Sequence, residues 1–276
     1  MILSPGSAAW PGTAPWLLAA GAVLAYALAM LPARSAPDGA SNWSAGALLV
    51  GWALHLGLLV LDIGGWGQSA SGARLGFAPV LSITVWLVIA VHAVESRFVP
   101  LPVVRRVLAV VGAVAVLLAW WFPGEVRPLT NPWAPLHFVL GVASYGLFGV
   151  AVLHALMLDA AERRLRERRI PEAGRFGLPL LQLERLTFRF VGAGFAVLTA
   201  TLLLGLLTSG AWSWLDRKAV LSLLGWAVFA ALLVGRHWRG WRGRRATAWL
   251  YGGAILLLLA YAGSRFVMEV ILQRSP

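Results

Sequence analysis

The chain has 276 residues, of which 59% are hydrophobic and only 12% are charged, and its formal net charge is +12. Globular domains are about 45–50% apolar and about 25% charged, so a soluble domain of this size would have too few charged residues to cover its surface. The composition therefore excludes a soluble enzyme and a disordered chain. The absence of cysteine also excludes a disulfide scaffold and thiolate metal sites. We predict an all-α, polytopic integral membrane protein.

Eight segments are long and apolar enough to cross a bilayer, whose hydrocarbon core is about 30 Å thick and requires about 20 helical residues. The connections between them are short, so we predict a single membrane domain over residues 1–276. We do not expect the first segment to be a signal peptide, because no basic residue precedes it. The predicted spans are residues 14–32, 45–62, 78–95, 103–122, 133–158, 187–208, 218–235 and 247–271.

Basic residues are distributed unequally between the two sides of these spans. Seventeen of the 23 lie in or beside the loops after spans 1, 3, 5 and 7, and five lie on the other side. Because Lys and Arg are enriched in cytoplasmic loops, we predict extracytoplasmic termini in a multi-pass protein of the bacterial cytoplasmic (inner) membrane. The positive charge then reflects topology and contact with membrane lipids, and we expect no nucleic-acid partner. The seventeen are Arg34, Arg97, Arg105, Arg106, Arg163, Arg164, Arg166, Arg168, Arg169, Arg175, Arg185, Arg189, Arg236, Arg239, Arg242, Arg244 and Arg245.

The tryptophans support these spans. Most of the 15 fall near predicted span ends, as in the aromatic belt of a membrane protein. Trp52, Trp86 and Trp226 lie deeper, and we expect them to pack between helices. The longest predicted cytoplasmic connection begins as a charged continuation of span 5, which Pro171 and Gly174 are expected to end.

Ionisable groups within a membrane are costly and are site hypotheses by default. His137 begins span 5 near the outer surface, and His55 lies at mid-depth in span 2. Asp62 follows His55 by seven residues and falls on the same helical face. A neutral imidazole nitrogen is a good ligand for haem iron, whereas the alternative is a structural histidine that hydrogen-bonds to neighbouring groups. His92 and His154 lie toward the cytoplasmic ends of their spans, and His237 belongs to the last basic loop.

The connection between spans 6 and 7 contains a second candidate site. Trp212, Trp214 and Asp216 would form an aromatic wall with one carboxylate, which suits a flat hydrophobic ligand. The same residues are also compatible with an aromatic belt followed by an N-cap for span 7. Residues 235–245 are either an anchor that sets topology or a binding site for anionic lipid head groups.

Three stretches resemble the cytochrome c assembly protein family, the haem-handling membrane proteins of the CcsA, CcmC and HemX type. Within it, the chain is most similar to the YpjD-like inner-membrane branch. The resemblance covers about residues 130–272, whereas residues 1–130 match only in hydropathy and number of spans. The stretches are PLHFVLGVASYGLFGVAVLHALML (135–158), LPLLQLERLTFRFVGAGFAVLTATLLLG (178–205), and residues 211–263, which begin AWSWLDRKAV.

The resemblance implies haem bound at the outer face by an external tryptophan-rich segment and flanking histidines. His137 falls on the first of the family's external histidines, and Trp212, Trp214, Asp216 and Lys218 fall on a reduced version of the motif. The family pattern is W-G-x-x-W-x-W-D-P-K-E, whereas this chain reads G-A-W-S-W-L-D-R-K-A. The family's second external histidine is absent from the segment after span 8, which leaves His55 as the expected partner of His137 in binding the haem iron.

Three functional hypotheses follow. The first is a non-enzymatic haem-handling protein of cytochrome c assembly, acting with other cytochrome c maturation or haem-biosynthesis proteins. The second is a structural or regulatory membrane protein, HemX- or YpjD-like, that uses the same scaffold without haem and acts through partner proteins. The third is a small-molecule transporter, for which only Asp62 and Glu269 supply carboxylates near a span interior.

Overall fold

A computed structural model describes residues 14–31, 43–64, 73–97, 101–127, 133–167, 180–208, 217–267 and 271. The main described elements are eight helices and two short strands. They are α1 (Ala14–Met30), α2 (Trp43–Gly64), β1 (Ala73–Leu75), α3 (Phe77–Glu95), α4 (Pro102–Trp121), β2 (Glu125–Arg127), α5 (Ala134–Arg166), α6 (Leu180–Thr208), α7 (Arg217–Arg239) and α8 (Gly243–Leu258).

The helical membrane fold is confirmed. Seven helical segments of the described residues are long and apolar enough to cross a membrane, and the last of them, Gly243–Gly263, comprises α8 and the π-helical segment that continues it. The eighth, α1, has 17 residues and a length of about 25 Å at 1.5 Å per residue, so it lies at the lower limit for a span. The pairing of β1 with β2, which are antiparallel and aligned from Ala73 opposite Arg127, was not expected from the sequence.

The helix boundaries differ most from the predicted spans at the start of α6 and at the end of α5. α6 begins at Leu180, ahead of the predicted residue 187, because a helix continues through Glu184 and Arg185 where hydropathy alone ends the span. α5 continues to Arg166 as the charged extension of span 5 predicted, while Pro171 and Gly174 lie outside the described residues. After α8 the helix passes through a π-helical segment, Leu259–Gly263, into a last α-helical turn.

The chain forms two compact units, Met1–Leu129 and Thr130–Pro276. In the first unit, α1 packs against α2 and α4, and α3 packs against α4 and α2. Trp52 of α2 and Trp86 of α3 stack with ring centroids 4.8 Å apart, and each indole N–H donates to the backbone carbonyl of the other residue. This confirms the prediction that these two tryptophans pack between helices.

In the second unit, α5 packs against α6 and α8, and α7 packs against α8. The rings of Phe148 in α5 and Phe229 in α7 stack at the centre of the core, with centroids 3.9 Å apart. Trp226 stacks on Phe195 and donates to the Thr199 hydroxyl, so it also packs between helices as predicted.

Candidate functional site

His55 lies at the centre of a buried hydrogen-bonded chain in the first unit. The residue is 1% exposed. Its Nδ1 lies 3.1 Å from the Tyr26 hydroxyl of α1, and its Nε2 lies 2.7 Å from the Ser82 hydroxyl of α3. Both ring nitrogens are therefore used in cross-helix hydrogen bonds, which is the arrangement expected for a structural histidine.

A small cavity lies beside this chain. His55, Ser82 and Asp62 contribute to its lining, so Asp62 lies on the same face of α2 as His55, as predicted. The cavity volume is about 20 Å³, which accommodates one water molecule and not a porphyrin. Iron binding by His55 requires one of its two hydrogen bonds to break, and this ligand assignment stays a prediction.

His137 has different surroundings. It lies in the first turn of α5, where its backbone N–H donates to the Trp133 carbonyl, and its side chain is exposed beside the backbone of Thr201 in α6. Nearby, Gly141 of α5 faces the Thr201 side chain. His137 is therefore held between two packed helices with its imidazole at the surface, where a ligand can reach it.

Four helix ends of the second unit lie at the same end of that unit as His137. α5 begins there and α6 ends there, because α5 residue 148 packs on α6 residue 194 while residue 141 packs on 201. α7 begins at the same end, since Trp226 contacts Thr199. The π-helical end of α8 also lies there, because the Tyr145 hydroxyl, two turns beyond His137 in α5, donates to the Leu257 carbonyl. We call this the His137 end.

The predicted tryptophan-rich segment connects two of these helix ends. Trp212, Trp214 and Asp216 themselves lie outside the described residues. α7 begins at Arg217, so Asp216 directly precedes the helix in the chain, at the position of an N-cap residue. The chain therefore joins α6 and α7 through this segment at the His137 end, and its role in ligand binding stays a prediction.

The remaining histidines are less suited to a ligand. His92 and His154 are about 2% and 1% exposed, respectively, and the His154 ring bonds the Val150 carbonyl and stacks on Phe190. His237 is exposed near the end of α7, opposite the His137 end. Among the described residues, no group of three or more histidine and acidic side chains is arranged to hold a metal ion.

Sequence reasoning missed the partners of His55. Tyr26 and Ser82 lie in helices that are apolar almost all round, so periodicity does not indicate which face turns inward. The useful signal was a tyrosine and a serine at mid-depth in two apolar segments, since a polar side chain in a span requires a partner.

Comparison with known proteins identifies the family. Residues 40–272 match the family described as Cytochrome C assembly protein. The chain belongs to this family. The match begins well before residue 130, so the family resemblance is wider than the motifs of the second half indicated.

Three relatives match the chain over most of its length. The inner membrane protein YpjD of Escherichia coli K12 is 31% identical over 81% of this chain and 84% of its own length. An uncharacterized 28.8 kDa protein of Azospirillum brasilense is 31% identical over 89% of this chain and 95% of its own. The cytochrome c biogenesis protein CcsA of a Synechococcus strain is 25% identical over 72% of this chain and 76% of its own. No solved structure matches the chain.

The named relatives and the apolar helices both indicate a membrane location. The chain is a multi-pass protein of the bacterial inner membrane, like the YpjD proteins that cover most of its length.

Proposed function

We propose that this cytochrome c assembly protein handles haem at the outer surface of the inner membrane, with His137 as an axial ligand of the iron. The supporting observation is the exposure of His137, held between α5 and α6 at the end where α7 begins and the π-helical segment lies. The other described histidines are buried, except His237, which is exposed at the end of the second unit opposite His137.

The donors of the His137 end fit haem as a cargo. A neutral imidazole supplies one axial bond, and Trp212 and Trp214 would supply flat apolar surface, with Asp216 as the nearby carboxylate. The haem iron would carry the redox chemistry of the mature cytochrome, while this chain only binds, orients and presents it. We therefore propose a non-enzymatic role. The partners would be other proteins of cytochrome c maturation or haem biosynthesis, in line with the name of the relative CcsA.

We propose that all eight helices cross the membrane and that both termini are extracytoplasmic. The distribution of basic residues supports this orientation, because the loops after α1, α3, α5 and α7 hold most of them. In this orientation the His137 end faces outward, the side on which the family resemblance implies that haem is bound.

The test is haem titration of the purified protein in mild detergent, followed by absorption spectroscopy. We expect a Soret band that is lost or shifted in His137→Ala and kept in His237→Ala, which removes another exposed histidine. His55→Ala is a second comparison, and an unchanged Soret band in this variant would contradict the prediction that His55 binds the iron.

The spectrum also separates this proposal from the structural or regulatory hypothesis. No band at any haem concentration, from protein that elutes as a single species, would contradict haem handling. Equal haem binding by His137→Ala and His237→Ala would contradict the assignment of the site.

A further inference from the structure

A pocket of about 190 Å³ lies at one end of the first unit, where α3 ends and α2 and α4 begin. It is at the level of a lipid head group, since Glu95 ends one candidate span and Pro102 begins the next. Its lining has a polar part and an apolar part. The polar residues are His92, Ser96, Arg97 and Arg105, and the apolar residues are Ala45, Leu48, Leu49, Ala93 and Leu101.

The described residues that line the pocket include two arginines and no carboxylate. Arg105 is only 9% exposed, and its Nε has no hydrogen-bond partner among the described residues. Arg97 adds a second guanidinium to the lining. Glu95, the nearest acidic residue along the chain, is not one of the lining residues. A buried guanidinium without a counter-charge is costly, so this pocket favours an anion.

The backbone of α4 adds to this preference. Leu101 lines the pocket and is the N-cap residue of α4, and its aliphatic side chain has no acceptor with which to cap the helix. Pro102 has no N–H and the Arg105 N–H donates to the Leu101 carbonyl, so the amides of Val103 and Val104 are left without an intrahelical acceptor and the helix start carries a partial positive charge. An oxyanion between this helix start and the Arg105 guanidinium would accept hydrogen bonds from both, which is the geometry that phosphate groups prefer.

The apolar part of the lining identifies the source of the anion. Leu48 and Leu49 of α2 form one wall, and Leu49 is 44% exposed on the outer surface of the helix, where acyl chains would lie. A free phosphate ion would gain nothing from this wall, whereas a phospholipid would place its phosphodiester at Arg105 and its chains along Leu49. We propose that this pocket binds the head group of an anionic phospholipid.

The test measures lipid binding to the delipidated full-length protein by native mass spectrometry. The probes are phosphatidylglycerol, phosphatidylcholine and inorganic phosphate. Arg105→Gln removes the buried charge, and Arg106→Gln is the matched control, because it removes the same charge from the adjacent exposed position. We expect phosphatidylglycerol affinity to fall roughly tenfold or more in Arg105→Gln and to stay within about twofold in Arg106→Gln.

Arg97→Gln provides a second variant of the pocket if Arg105→Gln does not fold, and its affinity should also fall. Equal losses in the pocket and control variants would overturn the proposal, because they would indicate general attraction to the charged surface. Competition by inorganic phosphate at the affinity of phosphatidylglycerol would overturn the lipid assignment, and so would binding of phosphatidylcholine with equal affinity. The proposal does not depend on haem binding. Haemin presents carboxylates and no phosphate, so competition between haemin and phosphatidylglycerol would overturn the proposal by assigning the pocket to carboxylates.

Discussion

Tyr26 shows how a single polar side chain organises the first unit. Its ring is fully buried, with Gly51 of α2 on one side and Gly112 of α4 on the other. A Cβ at Gly51 would lie 2.8 Å from the ring carbon Cδ1, and a Cβ at Gly112 would lie 2.9 Å from Cζ. Because the hydroxyl also bonds His55, the ring cannot move away from either glycine. The two glycines therefore set the distance at which α2 and α4 approach α1.

Substitution of Gly51 tests this arrangement. Gly51→Ala should lower the thermal unfolding midpoint, because overpacking costs about 1–3 kcal/mol and the better helix propensity of alanine returns only about 1 kcal/mol. Gly46→Ala in the same helix is the matched control, since a Cβ there contacts no other atom within 4 Å. It should leave the midpoint unchanged or raise it. Equal midpoints for the two variants would show that the ring has room to move.

At the scale of elements, charged contacts join helices at the end of the second unit opposite His137. Arg236 of α7 donates to Glu184 of α6 at 2.8 Å, and its guanidinium lies 3.6 Å from the centre of the Phe188 ring. Asp159 of α5 accepts hydrogen bonds from Thr247 and Tyr251 of α8. The contacts of Arg236 explain why α6 begins before its apolar stretch, because Glu184 and Phe188 lie in the early turns of α6 and hold α7.

A double-mutant cycle measures the strength of the α6–α7 pair. With Glu184→Gln and Arg236→Met, we expect a coupling free energy of about 1 kcal/mol or more, because both side chains are largely buried. The same cycle with Arg242→Met should give less than about 0.5 kcal/mol, since that guanidinium is 71% exposed and 3.7 Å from Glu184. Unfolding by denaturant in detergent supplies the free energies, and equal coupling in the two cycles would contradict this ranking.

For the whole molecule, the number of spans decides where the termini lie. Seven helical segments of the described residues meet the length of a span when α8 is counted with its π-helical continuation, and α1 is shorter. If α1 also crosses, both termini are on the same side, whereas seven spans would place them on opposite sides.

Cysteine labelling can settle this count, because the chain has no native cysteine. Single cysteines at Ser7, Ser69 and Ser275 should react with a membrane-impermeant maleimide in intact cells, and one at Ala40 should react only after lysis. Labelling of Ser275→Cys without Ser7→Cys would show that α1 does not cross. Labelling of Ala40→Cys alone would show that the orientation is reversed.

The sequence by itself determined the membrane class, the approximate position of all eight helices and the family. These properties depend on local composition, on span length and on the order of motifs, and the polar signatures of the second half were enough to identify the family. It also singled out the exposed His137 and placed Asp62 on the face of His55, because that face follows from helical periodicity.

Only the tertiary structure decided which polar groups meet. Tyr26 and Ser82 are 29 and 27 residues from His55, and their contact depends on how three nearly uniformly apolar helices rotate about their axes. Arg105 counted in the sequence only as one basic residue among many, yet packing buried it in a pocket without a carboxylate partner among the described residues. Hydropathy averages over all faces of a helix, so it locates a span but contains no information on the rotation of the helix about its axis. That rotation determines which polar side chains face each other and form a site.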